Sequence, residues 1–414
     1  MVILNRPLRI ALLSYRSKPH CGGQGVYLRH LSRELDALGH RVEVFSGQPY
    51  PELDPGPLLR EIPSLDLYRD DDPFRTPHWN EYRGWPDVLE TVMMWGGAFP
   101  EPLTFSLRAL RVLTARAADF DVVHDNQGLG YGMLGVRRLG LPLVTSIHHP
   151  ISVDKRIDLA SAGRLTRLSR RRWYGFVRMQ ARVARRVAGA GPLITVSESS
   201  KRDICRDFRV PPGQVHIIPL GVDTRVFRPR EAARAAGRIL AVASSDSAIK
   251  GVATLLRAVG KLATDRDVHL IIVGKPAPAT ERLAAQLSLG DRITFTHGLD
   301  DQAFSALLAS AEIAVVPSLY EGFSLPAVEH MASGTPLVAS RTGALPEVTS
   351  DAAALVTPGD DEELAAVLRR LHDSSAERAA LADRALVRVR ERFAWPAVAR
   401  ATAEQYRDAM EPAC

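Results

Sequence analysis

Cysteine is scarce: the 414 residues hold three, Cys21, Cys205 and Cys414, far apart and odd in number. That excludes a disulfide framework and a paired-cysteine metal site, and it implies reduced thiols in a cytoplasm. No run of about 18 apolar residues is free of charge, which excludes a membrane-spanning helix. The opening MVILNRPLRIALLSYRS breaks its apolar stretches at Asn5 and Arg6, so it lacks the long core of a secretory signal. What is present has a globular balance, 46% hydrophobic and 24% charged, which excludes disorder, collagen and coiled coil. The length is too great for one ordinary domain and suits two or three.

Acidic residues are nearly missing from one stretch. Of a net charge of +6, Lys155 to Arg186 alone carries +10, eleven Lys or Arg against Asp158, so the remainder sums to −4. Within it, Arg164–Arg178 interleaves Arg with Leu, Trp, Tyr and Phe. It reads as a helix with one apolar and one basic face, interrupted at Gly175. Such a helix suits peripheral contact with an anionic membrane surface, here the inner leaflet. The same residues also fit a helix that packs Trp173 and Phe176 inward and holds its Arg in water. No nucleic-acid motif accompanies the charge, so nucleic acid is not an expected partner.

Short apolar runs alternate with helical periodicity along the whole chain. Leu8–Ser14, Arg41–Phe45, Phe120–His124, Leu143–His148 and Leu193–Ser197 read as strands of a first half. Ile239–Ala243, His269–Val273, Ile293–Thr296, Ile313–Val316 and Pro336–Ala339 read as strands of a second. Helical stretches such as Val252–Leu262 lie between them. Alternation of this kind predicts two α/β domains with parallel sheets. The expected division is 1–220, 221–394, and a last helix, 395–414, that packs back towards the first domain. The region Gly47–Pro102, rich in Pro, Asp and Trp, reads as a long excursion beside the first sheet. Ligands of such sheets bind beyond the carboxyl ends of the strands, so the expected site is a cleft between the two domains.

The densest candidate chemistry is Glu321-Gly322-Phe323-Ser324-Leu325-Pro326-Ala327-Val328-Glu329, which follows a strand and opens a helix. A helix start offers free N–H groups and a positive dipole end, a seat for phosphate. Gly322 permits close approach of backbone. Carboxylates such as Glu321 and Glu329 suit vicinal hydroxyls, since each accepts charge-assisted hydrogen bonds. His124 and His148 each end a predicted strand, so both are expected to face the cleft, with His124, Asn126 and His149 the acceptor-side candidates. Asp70-Asp71-Asp72 reads as solvated surface rather than a metal site.

The spacing Glu-Gly-Phe-Ser-Leu-Pro with a second Glu eight residues after the first resembles the E-x7-E signature of retaining GT-B glycosyltransferases of family 4. Gly22-Gly23 with Val26 resembles the family's first loop, and Leu38-Gly39-His40-Arg41-Val42 the end of its first helix. Asp121-Val122-Val123-His124, Leu220-Gly221-Val222-Asp223, Lys250-Gly251-Val252 and Arg341–Glu347 resemble further family segments, in order, over nearly the whole chain. The resemblance implies an α/β GT-B fold of two Rossmann-like domains facing across a cleft. It implies a hexosyltransferase moving a mannosyl or glucosyl group from a nucleoside diphosphate sugar to an acceptor hydroxyl on a glycan, lipid or small molecule, without metal or other cofactor.

By the same resemblance Glu321 binds donor-sugar hydroxyls and Glu329 the ribose. Lys250 neutralises the diphosphate, and Gly22 and Gly23 let a loop close over it. The N–H groups of Phe323, Ser324 and Leu325 stabilise the leaving group, and His148 lies near the transferring bond. The family's phosphate Arg, five residues before the Lys, is here Ser245, with Arg341 the candidate substitute. Two other readings are a nucleotide-sugar epimerase of the same architecture, and a non-catalytic membrane-surface binder, which leaves Glu321, Glu329 and Lys250 unexplained. A dinucleotide-dependent oxidoreductase is disfavoured, because Cys21-Gly22-Gly23-Gln24-Gly25 does not match G-x-G-x-x-G.

Overall fold

The computed structural model describes residues 6–17, 23–69, 71–161, 163–230, 234–243 and 248–411. Gly22 and Ser245, two of the predicted donor-site residues, lie outside the described residues, as does Asp70. The chain divides into two compact units. The first comprises Met1–Val196, Ser200–Ile218 and Pro396–Cys414; the second comprises Ser197–Ser199 and Pro219–Trp395.

The first unit is built on a seven-stranded sheet, all of whose pairings are parallel. Its strands are β1 (Arg9–Ser14), β2 (Arg41–Ser46), β3 (Leu58–Glu61), β4 (Val122–Asn126), β5 (Leu143–Ser146), β6 (Leu193–Thr195) and β7 (Val215–Ile217), in the order β3-β2-β1-β4-β5-β6-β7. The central strands are apolar without alternation because helices cover both faces of a parallel sheet. Leu13, Phe45, Phe105, Val123, Leu143 and Val183 belong to one buried cluster of this unit. The reversal of strand order falls between β1 and β4, and it puts the turns after those strands at the ligand-binding end.

The second unit carries a six-stranded parallel sheet, β8 (Ala235–Val242), β9 (His269–Val273), β10 (Ile293–Thr296), β11 (Ala311–Val316), β12 (Leu337–Ser340) and β13 (Ala354–Val356), in the order β10-β9-β8-β11-β12-β13. Its core joins Ile239, Leu256, Leu270, Ile313 and Val338 to Leu364 and Leu368 of the helix Asp361–Asp373. Among the described residues no helix is long and apolar enough to cross a membrane.

Two expectations need correction, and the structure decides between two readings of a third region. The excursion Gly47–Pro102 does not lie wholly beside the first sheet: it contributes the edge strand β3 to it, and also contains the helix Trp85–Trp95 and the start of the helix Glu101–Ala115. The basic stretch breaks at Gly175 as expected, and of its two readings the inward-packed one holds. It forms the helices Ser152–Ser161, Arg164–Trp173 and Phe176–Ala188, broken at Tyr174-Gly175, and its aromatics point inward. Trp173 packs on Phe99 and Tyr68, with ring centroids 5.0 and 5.4 Å apart, and Phe176 packs on Phe99 at 5.3 Å. Finally, β4 runs two residues past His124, so that residue sits inside a strand rather than at its end.

Candidate active site

In the second unit, β11 ends at Val316 and the helix Leu325–Ala332 begins nine residues later; the turn between them holds Ser318, Glu321 and Ser324. Glu321 is largely buried. Lys250 Nζ lies 2.9 Å from Glu321 Oε1, and Ser318 Oγ donates to the same oxygen at 2.7 Å. Among the described residues no partner reaches Oε2. A cation and a carboxylate with one committed and one open oxygen therefore meet at the turn before the helix. Ser318 carried no motif and was not foreseen; its position just after a buried strand is the signal that could have found it.

Two close approaches fix this arrangement. Gly251, next to Lys250, has φ +65°, and a Cβ there would stand 1.9 Å from the Pro317 carbonyl oxygen. Gly343 has φ +54°, and its Cβ would stand 2.2 Å from the Glu321 carbonyl oxygen, which accepts from the Ala344 N–H at 2.9 Å. Only glycine serves at both positions without strain.

Ser324 precedes the helix at φ 85°, in the left-handed region, and its buried hydroxyl has no partner among the described residues. A non-glycine residue there stores strain of the kind found at ligand-binding turns. Pro326 costs the helix nothing, because first-turn N–H groups are unpaired anyway. Phe323 is buried edge-on against Phe393, with centroids 5.6 Å apart. The Gly322 carbonyl accepts from Ser197 Oγ at 2.7 Å. Leu325 is half-buried at the first helical position.

Glu329, one helical turn further, is half-buried, and its carboxylate has no hydrogen bond or ion pair among the described residues, although its backbone carbonyl accepts from the Ser333 N–H at 3.0 Å. Desolvation, helped by the like charge of Asp301, pushes its carboxyl up to about 7. Arg341 is exposed and donates to the Leu355 carbonyl at 3.3 Å.

The first unit places the histidines differently from one another. His124 is fully buried, with Nδ1 2.7 Å from the Tyr406 hydroxyl and Nε2 2.7 Å from Ser146 Oγ. Both nitrogens are spent on packing, which corrects the expectation that it faces a ligand. His148 lies beyond the end of β5 and is half-buried. Its Nε2 donates to Asn126 Oδ1 at 2.7 Å, its backbone N–H to Gln127 Oε1 at 2.9 Å, and its ring meets Tyr27 edge-on at 4.7 Å. Among the described residues Nδ1 is left as an acceptor without a partner, as the Asn126 Nδ2 is left as a donor. Desolvation and neighbouring His149 pull His148 down to about 3, so its ring is neutral at physiological pH. His149 Nε2 lies 3.0 Å from Asp154 Oδ2. Gly23 opens the helix Gly23–Ala37. Tyr27 and Gln127 were not foreseen; neither carries a motif.

Two parallel-sheet Rossmann-like units, one with a carboxylate and a cation before a helix start, define the class: a GT-B glycosyltransferase, an enzyme that transfers hexosyl groups. The chain matches the model of glycosyl transferases group 1 over residues 236–374 and that of Glycosyltransferase Family 4 over residues 21–226. It is 56% identical over 409 residues to the MMP alpha-(1->4)-mannosyltransferase of Mycolicibacterium hassiacum, covering 97% of this chain and 98% of that protein. It is 30% identical to the D-inositol 3-phosphate glycosyltransferase of Saccharomonospora viridis, covering 98% and 95% of the two chains. Among solved structures it is similar to sucrose-phosphate synthase from Thermosynechococcus elongatus, with a TM-score of 0.72, 24% identity, and coverage of 97% and 98%. The Anabaena HepE complex with UDP-glucose gives 0.70 at 16% identity, covering 97% of this chain and all of that one. The protein belongs to glycosyltransferase family 4. These matches lend no support to the epimerase or to a non-catalytic binder.

Proposed function

We propose that the protein is a retaining α-mannosyltransferase that moves mannose from GDP-mannose to a hydroxyl of a mannoside acceptor, forming an α-(1→4) bond. What carries the reading is the 56% identity over nearly the full length to an α-(1→4)-mannosyltransferase. Nucleoside diphosphate mannose is α-linked, so an α product means retention of configuration.

In this reading Lys250 and the start of the helix Leu325–Ala332 receive the diphosphate, and the Phe323, Ser324 and Leu325 N–H groups meet the charge that builds on it as it leaves. Glu321 accepts from the mannose hydroxyls through its open oxygen and Glu329 from the ribose diol. Charge on the leaving group is thus met by a fixed ammonium and backbone dipoles, and we assign no metal to the step. His148, with Asn126 and His149 beside it, serves on the acceptor side as a neutral hydrogen-bonding group, not as an acid. Gly22, Gly23 and Ser245 remain proposed donor contacts by resemblance alone.

The test is product analysis by NMR after incubation with GDP-mannose and a mannoside acceptor. A new α-(1→4) linkage, formed equally in the presence of EDTA, is expected. Transfer only from a UDP-sugar, a β product, or a loss in EDTA that added divalent ion restores would each overturn part of the reading. A thermal-shift series over GDP, UDP and ADP names the base independently, since a ligand that binds the native state raises its melting temperature.

A further inference from the structure

The helix Trp85–Trp95 is built inside out. Its inward side is acidic: Asp87 and Glu90 are buried, and both pair with Arg108 of the helix Glu101–Ala115. Its outward side is apolar: Trp85, Val88, Val92 and Trp95, spaced by three, four and three residues, are 64%, 51%, 56% and 65% exposed. A helix facing water carries the reverse pattern. A contiguous exposed stripe of this kind marks a surface that meets another apolar phase.

The stripe adjoins the most basic element of the unit. Gly97, just past the end of this helix, lies about van der Waals distance from the Arg172 side chain, a Cβ there standing 4.0 Å from it. Met94 on the helix's inner side shares a cluster with Trp173. The helix Arg164–Trp173 has five Arg and no acid, and its Arg171 and Arg172 are exposed.

We propose that this composite face, the apolar stripe flanked by Arg171 and Arg172, docks the protein on an anionic lipid bilayer. Tryptophan settles at the boundary between headgroups and acyl chains, valine enters it, and guanidinium groups pair with lipid phosphates. The helix from Trp85 to Trp95 lays about 15 Å along such a surface. Charge argues against the other occupants. A second copy meeting this face isologously would bring two five-Arg helices beside one seam with no acid on either, and a neutral glycan would give the Arg cluster nothing to bind. The aromatics of the basic stretch are spent on internal packing, so the apolar contribution comes from the helix Trp85–Trp95.

The experiment is co-sedimentation of the full chain with vesicles of phosphatidylcholine alone or mixed with phosphatidylglycerol. We expect partition into the anionic vesicles to exceed that into neutral ones by at least about tenfold, and to weaken with salt. Trp85→Ser with Trp95→Ser, and separately Val88→Ser with Val92→Ser, are expected to lower it at least about tenfold with the circular dichroism spectrum unchanged. Arg171→Gln with Arg172→Gln is expected to remove the preference for anionic vesicles. Absent binding, equal binding to both vesicles, or native binding by both stripe variants overturns the proposal. So does a dimer in light scattering that the stripe variants abolish, or quenching of tryptophan fluorescence by a soluble mannooligosaccharide that they abolish. None of these readouts depends on transfer activity.

Discussion

Glu321 and Lys250 are 2.9 Å apart, so neither acts alone. Removing the carboxylate leaves the ammonium without its partner, and removing the ammonium leaves a largely buried carboxylate held, among the described residues, only by Ser318. Glu321→Ala and Lys250→Ala are both expected to cost on the order of 10²–10³ in kcat/KM, with the circular dichroism spectrum retained. Near-native turnover in either variant would contradict the assignment. Because the groups form one unit, the double variant is expected to lose far less than the product of the two single losses.

Glu329 gives the same site a pH signature. In the unfolded chain its carboxyl ionises near 4.5, whereas in the folded protein it holds its proton to about 7. Between those values the unfolded chain has released a proton that the folded one keeps. Stability of the unliganded protein therefore falls as pH rises through that window. Glu329→Gln is expected to flatten this part of the denaturation-versus-pH curve. Ribose hydroxyls donate better to the ionised form, so nucleotide affinity is expected to rise through pH 7 in the native protein and not in the variant, as calorimetric titration would register. His148 is already neutral across this range, so His148→Asn should lower turnover without moving the pH profile.

At the scale of elements, the sheets were largely legible. The strands of both halves read as continuous apolar runs, and His269–Val273, Ile293–Thr296 and the helix Val252–Leu262 fall where the sequence puts them. The glycine-marked turn before Glu329 was legible too, because a strand followed by a helix start has its own residue pattern. The helix Trp85–Trp95 was not, for a physical reason. Its acids face inward on Arg108 and its tryptophans face out, so periodicity assigns its faces wrongly. The Lys250–Glu321–Ser318 contact joins residues as many as 71 apart and depends on packing that no local pattern states.

Packing of that kind is tested by Gly343. Alanine there would take a left-handed conformation and bring its Cβ into the Glu321 carbonyl oxygen. Relief requires the turn carrying Glu321 to move. Gly343→Ala is expected to cost about 2–3 kcal/mol of stability from strain and overlap combined, read in urea denaturation. It is also expected to lower donor affinity more than a stability loss alone would. A variant with native stability and native nucleotide affinity would show that the turn is not held from this side.

The whole chain does not run through one unit and then the other. After traversing the second unit it returns, and Pro396–Cys414 belongs to the first. The helix Trp395–Met410 is fastened there by Tyr406, which is fully buried with its hydroxyl 2.7 Å from Nδ1 of His124. His124 in turn meets Ser146 on β5. The last residues of the chain thus complete a hydrogen-bonded series that spans β4 and β5 in the middle of the first sheet. Tyr406→Phe keeps the ring and removes the hydroxyl, leaving a buried imidazole nitrogen unpaired at a cost of about 1–3 kcal/mol. The loss falls on the first unit, although the substitution lies at the far end of the sequence. Differential scanning calorimetry is expected to show the transition of the first unit lowered and that of the second unchanged. Deletion of 396–414 is expected to widen the same gap. If both transitions moved together, the two units would melt as one cooperative body and the helix would not be a private part of the first. If only the second moved, the assignment of the helix to the first unit would be wrong. A fall confined to the first unit, with nucleotide still raising the melting temperature of the second, would establish that the donor half folds and binds independently of the segment that closes the chain.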